Sequence, residues 1–166
     1  MSDRVAVRAA RLDDAPAIRK IQEACGRSGA SDGEWPLRAI GSADVCVVVA
    51  EVGGNVVGWG KTHLWGHASG TAPAGHYLGG VGVLPERRRM GVGSALTDAR
   101  LEWIWLRSPR AWYVVNASNT ASLRMHARWS FREVARAPCF HSVGFAGGDG
   151  ILLRADRPGV VRCESA

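Results

Sequence analysis

The stretch from Val81 to Leu96 constrains the fold of this chain more than any other, because an apolar strand there runs through a turn of arginine and glycine into a helix. The first turn of a helix leaves backbone N–H groups unpaired and carries the positive end of the macrodipole, so it attracts anions. Gly91 and Gly93 have no Cβ and let a phosphate group approach the backbone closely. The sequence therefore predicts a strand, a phosphate-binding turn and a helix in direct succession.

The spacing of the glycines separates three phosphate-binding motifs. A P-loop requires a lysine directly after its second glycine, and neither Gly91 nor Gly93 is followed by one. A dinucleotide fingerprint requires a third glycine where this chain has Leu96. The arrangement that remains is Arg88-x-x-Gly91-x-Gly93. A basic surface turn without a ligand is the alternative explanation.

Composition favours an ordinary globular protein. A chain of 166 residues with 46% hydrophobic and 22% charged residues predicts one domain over residues 1–166. The net charge of +6 would suit nucleic acid, but three of the 21 basic residues lie in the turn and the others are scattered, with arginine exceeding lysine by 19 to 2. We therefore expect neither nucleic acid nor a membrane as a partner.

The four cysteines are far apart in the sequence and form no Cys-x-x-Cys pair. They are Cys25, Cys46, Cys139 and Cys163. This spacing predicts neither a metal site nor a redox motif, and it favours the reducing cytoplasm. The sequence leaves open whether the chain acts as a monomer or as a homodimer.

Hydrophobic periodicity and turn residues predict a mixed α/β chain. The predicted elements are a strand at 4–9, helices from 13 or 14 to 25 and at 34–40, strands at 44–52, 56–63 and 76–84, a helix at 91–107, a strand at 111–115, a helix at 121–129, and strands at 131–140 and 151–155. This order predicts a sheet with helices on its faces.

A second motif runs from Asn119, which begins a helix, to Phe131. Together with Arg88-x-x-Gly91-x-Gly93 and the order of elements, it resembles the GCN5-related N-acetyltransferases (GNAT), whose acyl-CoA signature is Arg/Gln-x-x-Gly-x-Gly/Ala. Two positions depart from the family pattern, because His126 stands where Tyr is usual and Ser130 where Gly is usual. The resemblance covers the whole chain in topology, while its specific motifs occupy residues 81–96 and 119–131.

The resemblance implies the GNAT fold, which is a mixed, mostly antiparallel central sheet of about seven strands with about four helices on its faces. Two parallel central strands splay apart in this fold, and the pantetheine arm of acetyl-CoA adds to the exposed edge like a strand. The implied acetyl-CoA site consists of Val81, Gly82, Val83, Arg88, Arg89, Met90, Gly91, Val92, Gly93, Ser94 and Asn119. A plain helix N-cap is the alternative role for Asn119.

The activity implied by the resemblance is transfer of an acetyl group from acetyl-CoA to a primary amine of a small molecule within a ternary complex. His126 would protonate the departing thiolate, since an imidazolium is a competent acid near neutral pH. A structural histidine bonded to a backbone carbonyl is the alternative. The general base stays open between His63, His76, Tyr77, Glu34 and a water relay.

Acceptor binding is assigned to Trp35, His63 and His76, and to loops at Arg27–Trp35 and Gly66–Gly75. Trp65 and the closing hairpin with Phe140 and His141 would border the same pocket. Two other functions remain open within the family resemblance, namely acetylation of a protein α-amine or lysine and a non-catalytic CoA-binding regulatory module. A nucleic-acid-binding protein is the alternative from a different class.

Overall fold

The computed structural model of the protein describes residues 4–26 and 34–159. The strands are β1 (Ala6–Ala9), β2 (Val47–Val52), β3 (Asn55–Trp65), β4 (Gly75–Val83), β5 (Arg110–Asn116), β6 (Arg132–Ala137), β7 (Cys139–Phe140), β8 (Val143–Gly144) and β9 (Gly150–Asp156). The α-helices of the described ranges are α1 (Ala15–Ala24), α2 (Trp35–Ala39), α3 (Val92–Trp105) and α4 (Thr120–His126).

Seven of these strands form one sheet in the order β1-β2-β3-β4-β5-β9-β6, and β7 pairs with β8. The pairs β1/β2, β2/β3, β5/β9 and β6/β9 are antiparallel, and the sheet also contains a parallel pair. The predicted mixed, mostly antiparallel sheet with helices is therefore confirmed.

The chain divides into two compact units, of which the first comprises Met1–His63 and Leu78–Trp103. Strand β2 is buried on both faces there, because its side chains alternate between two cores. Val48 and Ala50 pack in one core with Leu96 of α3, and Val49 packs in the other with Ile18 of α1. The predicted strand at 44–52 is thus present as β2, over Val47–Val52, between two cores.

Arg100 of α3 is fully buried in the first unit. Its guanidinium donates to the carbonyls of Lys61 on β3 and Gly79 on β4, at 3.2 and 3.3 Å, and to Thr97 Oγ1 at 2.9 Å. A Cβ at Gly60 would lie 3.0 Å from Arg100 Nε. The missing side chain at position 60 thus leaves room for the guanidinium, which joins α3 to two strands.

The second unit comprises Leu64–Tyr77 and Ile104–Ala166. Its core contains Tyr77, Trp112, Phe140 and Leu152. The predicted strand over residues 131–140 is wrong in one respect, since β6 ends at Ala137 and a separate short hairpin of β7 and β8 follows. Pro138 lies at the break and has no N–H to continue the ladder.

Candidate functional site

The turn between β4 and α3 has the geometry of an anion site. Helix α3 begins at Val92, and Ala95 N–H donates to Gly91 O at 3.0 Å as its first hydrogen bond. The N–H groups of Val92 and Gly93 come before that bond, so no carbonyl one turn earlier in the helix can accept from them. These N–H groups are therefore placed to donate hydrogen bonds to an anion.

The backbone of the turn contains two residues in the left-handed conformation. Gly91 has a φ of 80°, and Arg89 has a φ of 61° that side chains rarely adopt. Alternation of left-handed residues with extended or helical ones turns successive N–H groups toward a common side, which is how a backbone nest binds phosphate. The turn thus fits a diphosphate, with Arg88 and Arg89 adding positive charge.

The end of β4 offers backbone groups on the side away from β3. Leu84 N–H donates to Val57 O of β3 at 2.9 Å. Because backbone groups alternate sides along a strand, those of Val83 and Val81 point away from β3. The side chains of Val81 and Val83 pack instead in the core with Val92. The backbone groups of these two residues accordingly lie on the side where an amide chain would add, and the Val83 carbonyl there accepts from Arg88 Nε.

Arg88 and Cys25 contact the end of β4, which the sequence did not predict. Arg88 Nε donates to Val83 O at 3.3 Å, and Cys25 Sγ lies 3.4 Å from the same carbonyl. Arg88 Nη2 is 3.7 Å from Cys25 Sγ. The guanidinium is therefore folded back over the strand end, next to the thiol of Cys25, which is the C-cap of α1.

Trp59 of β3 carries a buried donor beside β4. Its side chain is 2% exposed, and its Nε1–H has no hydrogen-bond partner in the described residues. A Cβ at Gly82 would lie 2.7 Å from Nε1, so only glycine fits there. The indole of Trp59 thus accounts for the glycine at position 82, and its N–H lies next to the strand assigned to pantetheine.

A cleft of about 220 Å³ lies between α2 and the end of β3. It is lined by Trp35, Arg38, Ala39, Ser42, Val45, Lys61, Thr62 and His63. The structure therefore brings together Trp35 and His63, two of the three residues assigned to the acceptor. Lys61 Nζ lies 4.4 Å from the centre of the Trp35 ring, and burial lowers the pKa of Lys61.

The sequence missed Lys61 and Arg38 as residues of this cleft. The signal for Lys61 was its rarity, because it is one of only two lysines among 21 basic residues. Residues 27–33 of the predicted acceptor loop lie outside the described part of the chain. Of the candidate bases, Glu34 pairs with Arg19 at 3.5 Å.

In the second unit, Asn119 is the N-cap of α4, and its Oδ1 accepts from Ser122 N–H at 3.2 Å. The capping role is therefore present in the structure. His126, at the end of α4, is 2% exposed and stacks on Tyr113 with a centroid distance of 4.0 Å. Its Nδ1 lies 2.8 Å from Ser122 O, and a carbonyl only accepts, so Nδ1 carries a proton. Nε2 is then the ring nitrogen that this contact leaves for another partner.

An aromatic cluster surrounds the Gly66–Gly75 loop in the same unit. Trp65 stacks on His141 with a centroid distance of 4.3 Å, and Tyr77 OH donates to Pro73 O at 2.7 Å. Burial raises the pKa of Tyr77 to about 12, so this phenol stays protonated near neutral pH and does not act as a base there. His76 is half-buried at the start of β4.

The part of the chain that the structure describes contains neither a membrane-spanning helix nor a metal site. None of its helices is both long and apolar enough to cross a bilayer. No group of three or more histidine, cysteine or acidic residues within residues 4–26 and 34–159 is arranged to hold a metal ion.

A strand that passes through an arginine-rich turn with left-handed residues into a helix is an arrangement that can bind the diphosphate of a cofactor. The sequence pattern of the acetyltransferase (GNAT) family matches residues 15–131. The chain therefore belongs to the GNAT family of acetyltransferases, as the two motifs predicted. No curated protein matches it.

Solved structures with the same fold include enzymes and acetyl-CoA complexes. The ribosomal-protein-S18-alanine N-acetyltransferase from Escherichia coli gives a TM-score of 0.71 at 17% identity, over 92% of this chain and 94% of that chain. Arabidopsis thaliana NAA60 in complex with acetyl-CoA gives 0.74 at 17%, over 92% and 98%. Salmonella typhimurium yncA with its cofactor acetyl-CoA gives 0.72 at 18%, over 92% and 93%. At these identities the similarity shows the fold.

Proposed function

We propose that the protein is an acetyl-CoA-dependent N-acetyltransferase that acetylates a primary amine of a small molecule. The observation that carries this proposal is the turn before α3, where Arg89 and Gly91 adopt left-handed backbone angles and α3 begins with N–H groups free of helical partners. Acetyl-CoA supplies an acetyl thioester and a diphosphate of the kind that such a turn binds.

The site residues divide into groups with different roles. The backbone groups of Val81 and Val83, on either side of Gly82, would hold pantetheine, and the amides from Arg89 to Ser94 would hold the diphosphate. The Trp59 N–H beside Gly82 is a further donor at the strand. Asn119 would contact the pantetheine arm while it caps α4.

The reaction we propose is a direct transfer. The amine nitrogen attacks the thioester carbonyl carbon, a C–N bond forms, and the C–S bond breaks. The nitrogen loses one proton to a base, for which His63, His76, Glu34 and a water relay remain candidates. The departing thiolate takes one proton from His126 Nε2, because Nδ1 is engaged with Ser122 O. Support for this role of His126 comes from its position in the Asn119–Phe131 motif.

Incubation with acetyl-CoA and a panel of small primary amines tests this function. We expect release of free thiol that depends on the amine, together with an amine product heavier by one acetyl group in mass spectrometry. Coenzyme A binding in calorimetry without thiol release would instead indicate a regulatory module. Thiol release only with peptides or proteins would indicate a protein acetyltransferase, and absence of coenzyme A binding would overturn the proposal.

We also propose that the protein works in the cytoplasm. The scattered cysteine pattern supports this location, and among the described residues Cys25, Cys46 and Cys139 are free thiols. Fractionation of cells that express the chain at native level, followed by immunodetection, tests it.

A further inference from the structure

The cleft between α2 and β3 has a lining of one charge sign. Among the described residues that line it, the ionisable side chains are Arg38, Lys61 and His63, and none is an aspartate or a glutamate. Trp35 supplies an apolar wall on which Lys61 rests. A concave site with an apolar wall and convergent polar groups is the usual form of a small-molecule site.

Lys61 is a half-buried cation for which residues 4–26 and 34–159 provide no anionic partner. No carboxylate of the described residues forms an ion pair with its ammonium group. Burial is the cause that lowers the pKa of Lys61, and no neighbouring acid offsets it. Contact with the Trp35 ring stabilises the cation only in part, because an exposed or half-exposed cation–π contact is weaker than a charged hydrogen bond.

A desolvated ammonium group is stabilised when a ligand brings an anion to it. The volume of about 220 Å³ accommodates a short, functionalised chain rather than a drug-sized molecule. Trp35 and His63, which the sequence assigned to the acceptor, line the same cleft as Lys61. The position and the charge of the cleft thus describe a site for an acidic small molecule.

We propose that this cleft binds a carboxylate of the acceptor, so that the substrate is a small amino acid whose amine is acetylated and whose acid group pairs with Lys61. This inference rests on the proposed function, since it names the class of the acceptor amine. Arg38 adds positive charge at the same cleft, and Trp35 contacts the carbon chain between the two functional groups.

The kinetic test uses pairs of acceptors that differ only at the acid. A series of ω-amino acids from glycine to 6-aminohexanoate is compared with the corresponding amides. We expect kcat/KM for the preferred acid to exceed that of its amide by roughly tenfold to a hundredfold, the effect of a charge-assisted hydrogen bond. Lys61→Gln should remove this preference by raising KM for the acid. Lys61→Arg should retain most of it, and Lys20→Gln, on the exposed surface of α1, should retain all of it.

A binding test works without turnover. Protein labelled with [ε-¹³C]lysine gives two side-chain signals, because the chain has only Lys20 and Lys61, and Lys20→Gln assigns them. With coenzyme A present, the preferred acid should shift the Lys61 signal and raise the pKa of Lys61. The amide should leave the signal in place, and the Lys20 signal should not move with either.

The outcomes separate this inference from the proposed function. A Lys61 signal that responds to the acids in a protein that acetylates no amine would support the cleft and overturn the proposed function. Acetylation of acids and amides at equal kcat/KM, unchanged in Lys61→Gln, would overturn the inference while the acetyltransferase function stands. A Lys61 signal that no acid of the series moves would likewise overturn the inference.

Discussion

Ser130 follows the last turn after α4 and has a left-handed backbone, with φ 59° and ψ 30°. The GNAT family usually has glycine at this position, as the second motif indicated. A left-handed conformation costs a residue with a Cβ about 1–2 kcal/mol, whereas glycine costs about 0.5–1 kcal/mol more entropy on folding. Ser130 therefore retains a conformation for which its side chain is not suited.

We predict that Ser130→Gly stabilises the protein by about 0.5–1 kcal/mol, because the relief of backbone strain exceeds the added entropy of the unfolded chain. Urea denaturation at neutral pH measures the change. Ala127→Gly is the matched control, since Ala127 lies in the same turn with a right-handed φ of −57° and should lose stability on substitution. Loss of stability in both variants would contradict the prediction.

His126 is the residue on which the proposed proton transfer depends. We predict that His126→Phe lowers kcat by about a hundredfold or more, because the thiolate loses its acid, while acetyl-CoA affinity changes little. The Phe ring keeps the aromatic contact with Tyr113. His126→Tyr restores the residue that the family usually has and should recover most of kcat. Steady-state kinetics and calorimetry measure the two quantities, and an equal loss of kcat and affinity in His126→Phe would count against the catalytic role.

At the scale of elements, two glycine variants separate the role of the turn between β4 and α3 in cofactor binding from its contribution to stability. Gly91→Ala adds a Cβ at φ 80°, and Gly41→Ala adds one at φ 87° outside the turn, with no heavy atom within 4 Å of either Cβ. We predict that both variants lose about 1–2 kcal/mol of stability. Only Gly91→Ala should also weaken coenzyme A binding, because only Gly91 lies in the turn whose N–H groups are proposed to bind the diphosphate. Equal affinity of the two variants in calorimetry would place the cofactor elsewhere.

The contacts of Arg100 join α3 to β3 and β4. We predict that Arg100→Met lowers the free energy of unfolding by roughly 2–4 kcal/mol, since buried carbonyls of Lys61 and Gly79 lose their donor. Glu102→Met is the control, because Glu102 is exposed on the same helix and should change stability by less than about 0.5 kcal/mol. Thermal and urea denaturation measure both variants. Stability of Arg100→Met equal to that of Glu102→Met would show that the buried guanidinium contributes nothing.

Local signals predicted the elements because each depends on residues close in sequence. The turn at Gly53 and Gly54 is an example, since both residues have positive φ and lie between the strands predicted at 44–52 and 56–63, which pair antiparallel as β2 and β3. The sequence placed the start of the first helix at residue 13 or 14, and Asp14 is the N-cap of α1. Its carboxylate accepts from Arg8 and from Arg11 N–H but not from the helix. Arg8 belongs to β1, and no local pattern indicates that contact.

The candidate site was predictable where its chemistry lies in the backbone. The turn before α3 is encoded by glycine spacing, and the structure has the strand, the turn and the helix in that order. Neither the full burial of Arg100 nor the partial burial of Lys61 was predictable, because an arginine in a helix and a lysine in a strand usually face water. Their burial depends on glycines and a tryptophan that pack against them only in the folded sheet.

For the whole molecule, the placement of Lys61 implies a cost in stability that an acidic acceptor relieves. We predict that Lys61→Met raises the free energy of unfolding at pH 7 by about 1 kcal/mol, because methionine keeps contact with Trp35 without a desolvated charge. Burial lowers the pKa of Lys61 in the folded state, so the wild-type cost is fully present below that pKa. As pH rises through the folded pKa toward the ordinary lysine value, the folded state loses its proton first, and the cost is relieved.

The stability margin of Lys61→Met over wild type should therefore be larger at pH 7 than at pH 10, as measured by urea denaturation at both values. Lys20→Met removes the other lysine, which is exposed on α1, and should show no such pH-dependent margin. Addition of the preferred amino acid at pH 7 should stabilise wild type and leave Lys61→Met unchanged, which reverses their order once the ligand is well above its Kd. A Lys61→Met variant less stable than wild type at pH 7 would contradict the prediction, because the fold would then already stabilise the ammonium group. The inference that the cleft binds an acid to stabilise Lys61 would fail with it.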